Sequence, residues 1–316
     1  MADMIWRRHP LALAAENIAA KIGNPPAGCA LVVCSLSKAF IAEAVICRLR
    51  RRMEAHLLRL DERVAFAIPG LARYLHDLAA DHWGLVLLLS PRHAELLVQT
   101  VGRPDRGLYI NGPHLFCDWL VRPQSLLRTY AVDMAELGRF RAELLRRLEG
   151  AALLHVTTTA GTDLYLRPRR WVCGHNDGEI FTAPIEPETR GVAVIDGCAY
   201  DGPPLEPFAL CIRRGRVANL DSLDNSHQQA MLRHDLGRDE NMPVVAEFGL
   251  GINPGARPDA DLMEAEQSRG TCHIGFGHNL PFGGANRATY HLDLVMRCPT
   301  IEADGAIICC EGVYSP

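Results

Sequence analysis

Aromatic residues make up only 6% of this 316-residue chain, too few for a base-stacking platform on single-stranded nucleic acid. Positive charge is not in excess either. Lys and Arg number 33 against 37 Asp and Glu, a formal charge of -4, so neither nucleic acid nor an anionic membrane is an expected partner. No apolar run approaches the ~18 residues of a membrane span. The opening stretch, MADMIWRRHPLALAAENIAA, carries two arginines before apolar residues, but Glu16 interrupts it. It reads as an amphipathic helix rather than an export signal. Neither G-x-G-x-x-G nor G-x-x-x-x-G-K-[ST] occurs, so no nucleotide is implied. C-x-x-C is also absent, although the chain has eleven cysteines. Most of them sit in apolar strings such as ALVVCS and AIICCEG. They read as buried, reduced thiols, which suits a cytoplasmic protein.

What is present divides near residue 150. Before it, strand-like and helix-like runs alternate. ALVVCS (30–35) and GLVLLLS (84–90) read as buried strands, and 107–111 as a third. Segments 40–56, 91–100 and 134–149 read as helices, and the basic cluster 48–52 as a solvated helix end. This pattern predicts an α/β N-terminal domain, 1–150, with a largely parallel sheet. From Ala151 onward glycines, prolines and β-formers dominate. Strands are expected at 154–166 (a pair around Ala160-Gly161), 191–199, 244–249, 271–276, 290–296 and 305–310, with one clear helix at 226–236. The second domain, 151–316, is therefore expected to be β-rich α+β.

The chemistry-bearing residues lie in that second half. His291-Leu292-Asp293 places an imidazole and a carboxylate on one face of a strand, a seat for a divalent metal. Alone, such a pair is more often structural. His273 lies in an apolar strand followed by glycines, where a hydrogen-bonded core histidine is the plainer reading. Glu179 and Glu247 are carboxylates among Val, Phe and Leu, costly to bury unless paired with an arginine or a cation. Together, two histidines and three carboxylates exceed what one open catalytic zinc takes, and suit two close ions sharing a carboxylate.

Four stretches in series give this half a resemblance to the thermophilic-type metallo-aminopeptidases, the aminopeptidase T and S family. They are GEIFTAP (178–184), AEFGLGINPGA (246–256), GTCHIGFG (270–277) and FGGANRATYHLDLVM (282–296). The resemblance covers roughly residues 155–310. It implies that Glu179, Glu247, His273, His291 and Asp293 are metal ligands, with two ions drawn from Zn, Co and Mn. It also implies a homodimer and a small-molecule or short-peptide substrate whose amide is cleaved by metal-activated water. Two positions depart from the family pattern. Gly178 stands where a second Glu is usual, and Leu280 where a catalytic Tyr is usual. Glu179, His278 and His175 are the candidate proton-handling residues, while Tyr290 is expected to face away as core. Asn176 and Asn286 are candidates for holding substrate. A related lineage cleaves dihydroxypyridine rings with iron. His273, His291 and Asp293 would make an Fe(II) triad of that kind. A non-catalytic metal-binding protein is the third reading.

Overall fold

The computed structural model describes residues 9–22, 29–61, 84–88, 114–118, 122–174, 178–200, 202–204, 206–223 and 225–315. The chain divides into two compact units, Met1–Val132 and Asp133–Pro316. In the first, strands β1 (Cys29–Ser35), β2 (Glu54–Leu60), β3 (Gly84–Leu88) and β4 (His114–Asp118) form one sheet in the order β2-β1-β3-β4, with every pair parallel. β1 is almost wholly buried, as an inner strand of a covered parallel sheet should be. The opening helix is Pro10–Ala20, with proline at its first position.

The helix expected over 40–56 is in fact a helix, Ala39–Leu49, followed by strand β2. The β2 sequence, EAHLLRL, is made of good helix formers, but its pairing with β1 outweighs that local preference. The expected helix 91–100 and strand 107–111 lie outside the described residues.

The second unit begins earlier than the composition suggested. The helix Met134–Leu148 belongs to it. Phe140 packs edge-on against Tyr314 at 5.3 Å, and Arg147 donates to the carbonyls of Ser315 and Ile307 at 2.7 and 2.8 Å. Asp133 caps that helix by accepting the N–H groups of Ala135 and Glu136. Then come β5 (Leu154–Thr157), β6 (Asp163–Leu166), β7 (Pro168–Cys173), β8 (Glu179–Pro184), β9 (Arg190–Ile195), β10 (Phe208–Arg213) and β11 (Arg216–Val217). After the helix His227–Leu236 follow β12 (Val245–Gly251), β13 (Thr271–Gly277), β14 (His291–Arg297), β15 (Thr300–Ala303), β16 (Ala306–Cys310) and β17 (Val313–Tyr314). Two antiparallel sheets result, an eight-stranded β11-β10-β9-β6-β5-β15-β16-β17 and a five-stranded β14-β13-β12-β8-β7. β7, β8, β10, β11, β15 and β17 were not among the strands expected from the sequence. β7 and β15 are polar-rich strands whose identity comes from their partners, while β10 is mostly apolar.

No disulfide joins any of the ten described cysteines. Cys34, Cys198, Cys272 and Cys309 are buried as expected, but Cys47, Cys173, Cys298 and Cys310 are exposed. Cys309 and Cys310 differ because neighbours in a strand face opposite sides. Among the described residues, no helix is long and apolar enough to cross a membrane.

Candidate metal centre

The five residues singled out above all sit on the five-stranded sheet, Glu179, Glu247 and His273 on the three fully buried strands β8, β12 and β13, and His291 and Asp293 on the edge strand β14. Antiparallel partners share a face, so the ladder itself aligns them. Gly275 opposes both Glu247 and Asp293, Gly249 opposes both His273 and Phe181, Gly251 opposes Glu179, and Gly277 opposes His291. One face of one sheet therefore carries Glu179, Glu247, His273, His291 and Asp293. A bulge between Val245 and Glu247 sets the register that turns Glu247 toward this face.

The glycines make the room. A Cβ on Gly275 would lie 2.6 Å from Asp293 Oδ1, 2.7 Å from His291 Nε2 and 2.8 Å from Glu247 Cβ. A Cβ on Gly249 would lie 1.9 Å from His273 Nε2. The ligand-bearing ends thus converge over bare backbone.

Glu247 lies at the centre. Its Oε1 is 3.1 Å from His273 Nε2, and its Oε2 is 3.2 Å from His291 Nε2. His291 Nε2 is also 3.0 Å from Asp293 Oδ1, and Glu179 Oε2 is 3.8 Å from His273 Nε2. Ligand atoms of Glu247, His273 and Asp293 all lie within 4.8 Å of one another. His291 Nδ1 donates to the backbone carbonyl of His278 at 2.9 Å, which fixes the ring and leaves Nε2 for the cluster. His273 Nδ1 has no hydrogen-bond partner among the described residues. This donor set, imidazole nitrogens and carboxylates facing a glycine-lined space, fits a divalent cation.

The protonation pattern agrees. Burial pushes Glu179 up to about 7, with His273 opposing and the carboxylates of Glu247 and Asp293 adding. Burial would lower His273, but its hydrogen bond to Glu247 and the surrounding carboxylates raise it to about 9. His291 is likewise raised against its burial, chiefly by Asp293. Asp293 is lowered in spite of burial, because the His291 charge lies beside it. Protons on the imidazoles compensate carboxylates where a cation would otherwise do so.

Sequence reasoning missed one residue. Glu266 is 4% exposed, just past the short helix Leu262–Ala265, and burial together with Glu179, Asp293 and Glu247 raises its pKa well above normal. Thr271, on the ligand-bearing face two residues before His273, holds this segment by donating to the carbonyls of Ala265 and Ser268 at 3.0 and 2.8 Å. A Glu among polar residues in a loop gave no sequence signal. At Gly178, a Cβ would lie 2.5 Å from the Oε1 of Gln267, the neighbour of Glu266, so that side chain fills the space.

Of the other candidates, His278 is buried, and its Nδ1 accepts the Ala288 N–H at 3.4 Å. His175 and Asn176 lie outside the described residues. Asn286 Nδ2 bonds the carbonyls of Gly277 and Asn241, and so braces the loop. Tyr290 packs under Arg238 at 5.4 Å, in the neighbourhood of Asp235 and Asp239, apart from the cluster. Leu280 is 38% exposed.

No protein-family model matches the sequence, and no curated protein matches it. Solved structures do resemble the fold. The 2,5-dihydroxypyridine dioxygenase of Pseudomonas putida KT2440 is 19% identical, with 96% of each chain covered and a TM-score of 0.67. AmpT of Thermus thermophilus, an aminopeptidase T, is 14% identical, covering 98% of this chain and all of the other, also at 0.67. The likeness establishes a shared fold. Both neighbours are enzymes, and they belong to different reaction classes.

Proposed function

We propose that the chain is a metal-dependent hydrolase that cleaves an amide or peptide bond of a small substrate. One observation carries this reading. Glu247 offers one oxygen toward His273 and the other toward His291, an arrangement in which one carboxylate could serve two ions if they were bound. Glu179 and Glu247 both remain in the cluster, beside the histidines and Asp293. A triad alone would need neither. The residues that would hold the ions are Glu179, Glu247, His273, His291 and Asp293. Bound divalent ions supply Lewis acidity, polarising a carbonyl and making water acidic.

The chain supplies the rest. The His278 carbonyl keeps His291 oriented. Glu266, a buried carboxyl whose pKa is raised by burial and by the charges of Glu179, Asp293 and Glu247, is the group we assign to take a proton from the attacking water and return it to the leaving nitrogen. Hydrolysis then adds OH to the acyl carbon and H to the amine. Alanine at His291 or glutamine at Glu179 should remove most bound metal and drop turnover of amino-acid amides by ~10³-fold or more. Retention of both metal and turnover in these variants would refute the assignment.

The second reading is an Fe(II) ring-cleaving oxygenase using His273, His291 and Asp293. The likeness to the dihydroxypyridine dioxygenase supports it. Native iron, with oxygen uptake on hydroxylated pyridines, would establish it over the hydrolase.

A further inference from the structure

We infer that Phe282, backed by Phe181, is the specificity wall of this site and selects substrates with an aromatic or branched aliphatic group beside the scissile bond. The inference rests on the hydrolase reading above. Its first support is a gradient of exposure. The His273 and Glu247 side chains are 1% and 6% exposed, whereas those of Asp293 and His291 are 19% and 20%. Solvent, and so substrate, reaches the cluster at the His291–Asp293 end.

Phe282 stands at that end. Its ring lies edge-on to His291 at 5.1 Å and edge-on to Phe181 at 5.0 Å. Phe181 follows Glu179 by two residues in β8, so it lies on the ligand-bearing face. Among the described residues, no guanidinium stacks on either ring. A charged side group would gain nothing there, while an apolar one would exchange water for the partly exposed Phe282 ring, with the buried Phe181 ring behind it. Leu280, 38% exposed, lies on the same turn.

The wall is held in place. The turn Leu280–Phe282 ends on Gly283 at φ 84°, a left-handed position. Gly284 donates to the Asn279 carbonyl at 3.1 Å, and a Cβ on Gly284 would lie 2.1 Å from Asn279 Cγ. Asn279 is fully buried. Its Nδ2 donates to Glu186 Oε1 at 3.0 Å and to the carbonyl of Ala246 at 3.1 Å. Ala246 precedes Glu247, so the turn bearing Phe282 is tied to a strand bearing a ligand. A ring fixed in this way reads side-group shape without paying to order a loop.

The test uses the metal-loaded full chain and the hydroxamates of glycine, alanine, leucine and phenylalanine, whose head groups chelate the metal. Calorimetry gives each Kd, and metal content is measured on the same samples. The phenylalanine and leucine compounds should bind ~10–100-fold tighter than the glycine one. Phe282→Ala should shrink that ratio about tenfold with metal content unaltered. Phe282→Leu should give an intermediate ratio, and it covers the case in which the alanine variant does not fold. Equal binding of all four compounds, or a ratio untouched in both variants, would overturn the wall alone. Failure of every hydroxamate to bind a metal-loaded protein would overturn the hydrolase reading, and the wall with it.

Discussion

Gly275 shows how little space the site leaves. A methyl group there would press on Asp293, His291 and Glu247 at once, each within 2.8 Å. Gly275→Ala should therefore lower metal affinity by ~10-fold or more while the protein still folds, as read by metal titration and a thermal melt. Glu266→Gln keeps the shape of the side chain but removes its proton exchange. It should lower kcat by ~10²–10⁴-fold with metal content unchanged. An equal loss of metal would make Glu266 a ligand instead. These two residues differ in how they could be found. His291 and Asp293 are legible because their spacing matches the strand period, and Glu179, Glu247 and His273 because they are polar within apolar runs. Glu266 sits in a polar loop, and its place is set by tertiary bonds such as those of Thr271 and Asn253, which local sequence does not show.

At the scale of elements, the proposed ligands hang on β8, β12, β13 and β14, and the buried Asn279 amide is one of the groups that hold the loop between the last two. Asn279→Ala removes donors to Glu186 and Ala246 and an acceptor for Asn286. The expected cost is about 1–3 kcal/mol in chemical denaturation, and lower affinity for apolar ligands because Phe282 is released. Of these strands, β8 was not among those expected, whereas β12, β13 and β14 could be read from sequence as short runs of strand formers. The register could not. A bulge at Val245/Glu247 and the glycines opposite each ligand express pairings between segments distant in sequence. The same blindness merged the helix Ala39–Leu49 with β2, because a parallel partner decided the second half.

For the whole molecule, the change of composition near 150 marked the two-unit organisation but not its border. The helix Met134–Leu148 resembles the first half in sequence and packs with the second. A homodimer remains the expected assembly, so sedimentation should give about twice the 34.8 kDa chain mass, and a monomer would contradict it. The cluster also makes stability depend on pH. Glu179 moves from 4.5 unfolded to about 7 folded, and His273 from 6.5 to about 9. Across this window the folded, metal-free protein binds more protons than the unfolded chain, so stability falls as pH rises. Thermal melts of metal-free protein should give a lower Tm near pH 9 than near pH 6. Added metal should narrow the difference, because it binds the deprotonated ligands. A metal-free Tm that rises over this range would contradict the assigned clustering. The most direct measurement is metal content per chain on protein purified without added metal or metal-affinity resin. The hydrolase account predicts about two ions of zinc, cobalt or manganese. About one iron per chain would contradict it in favour of the oxygenase, and no metal even after reconstitution would remove the metal centre altogether.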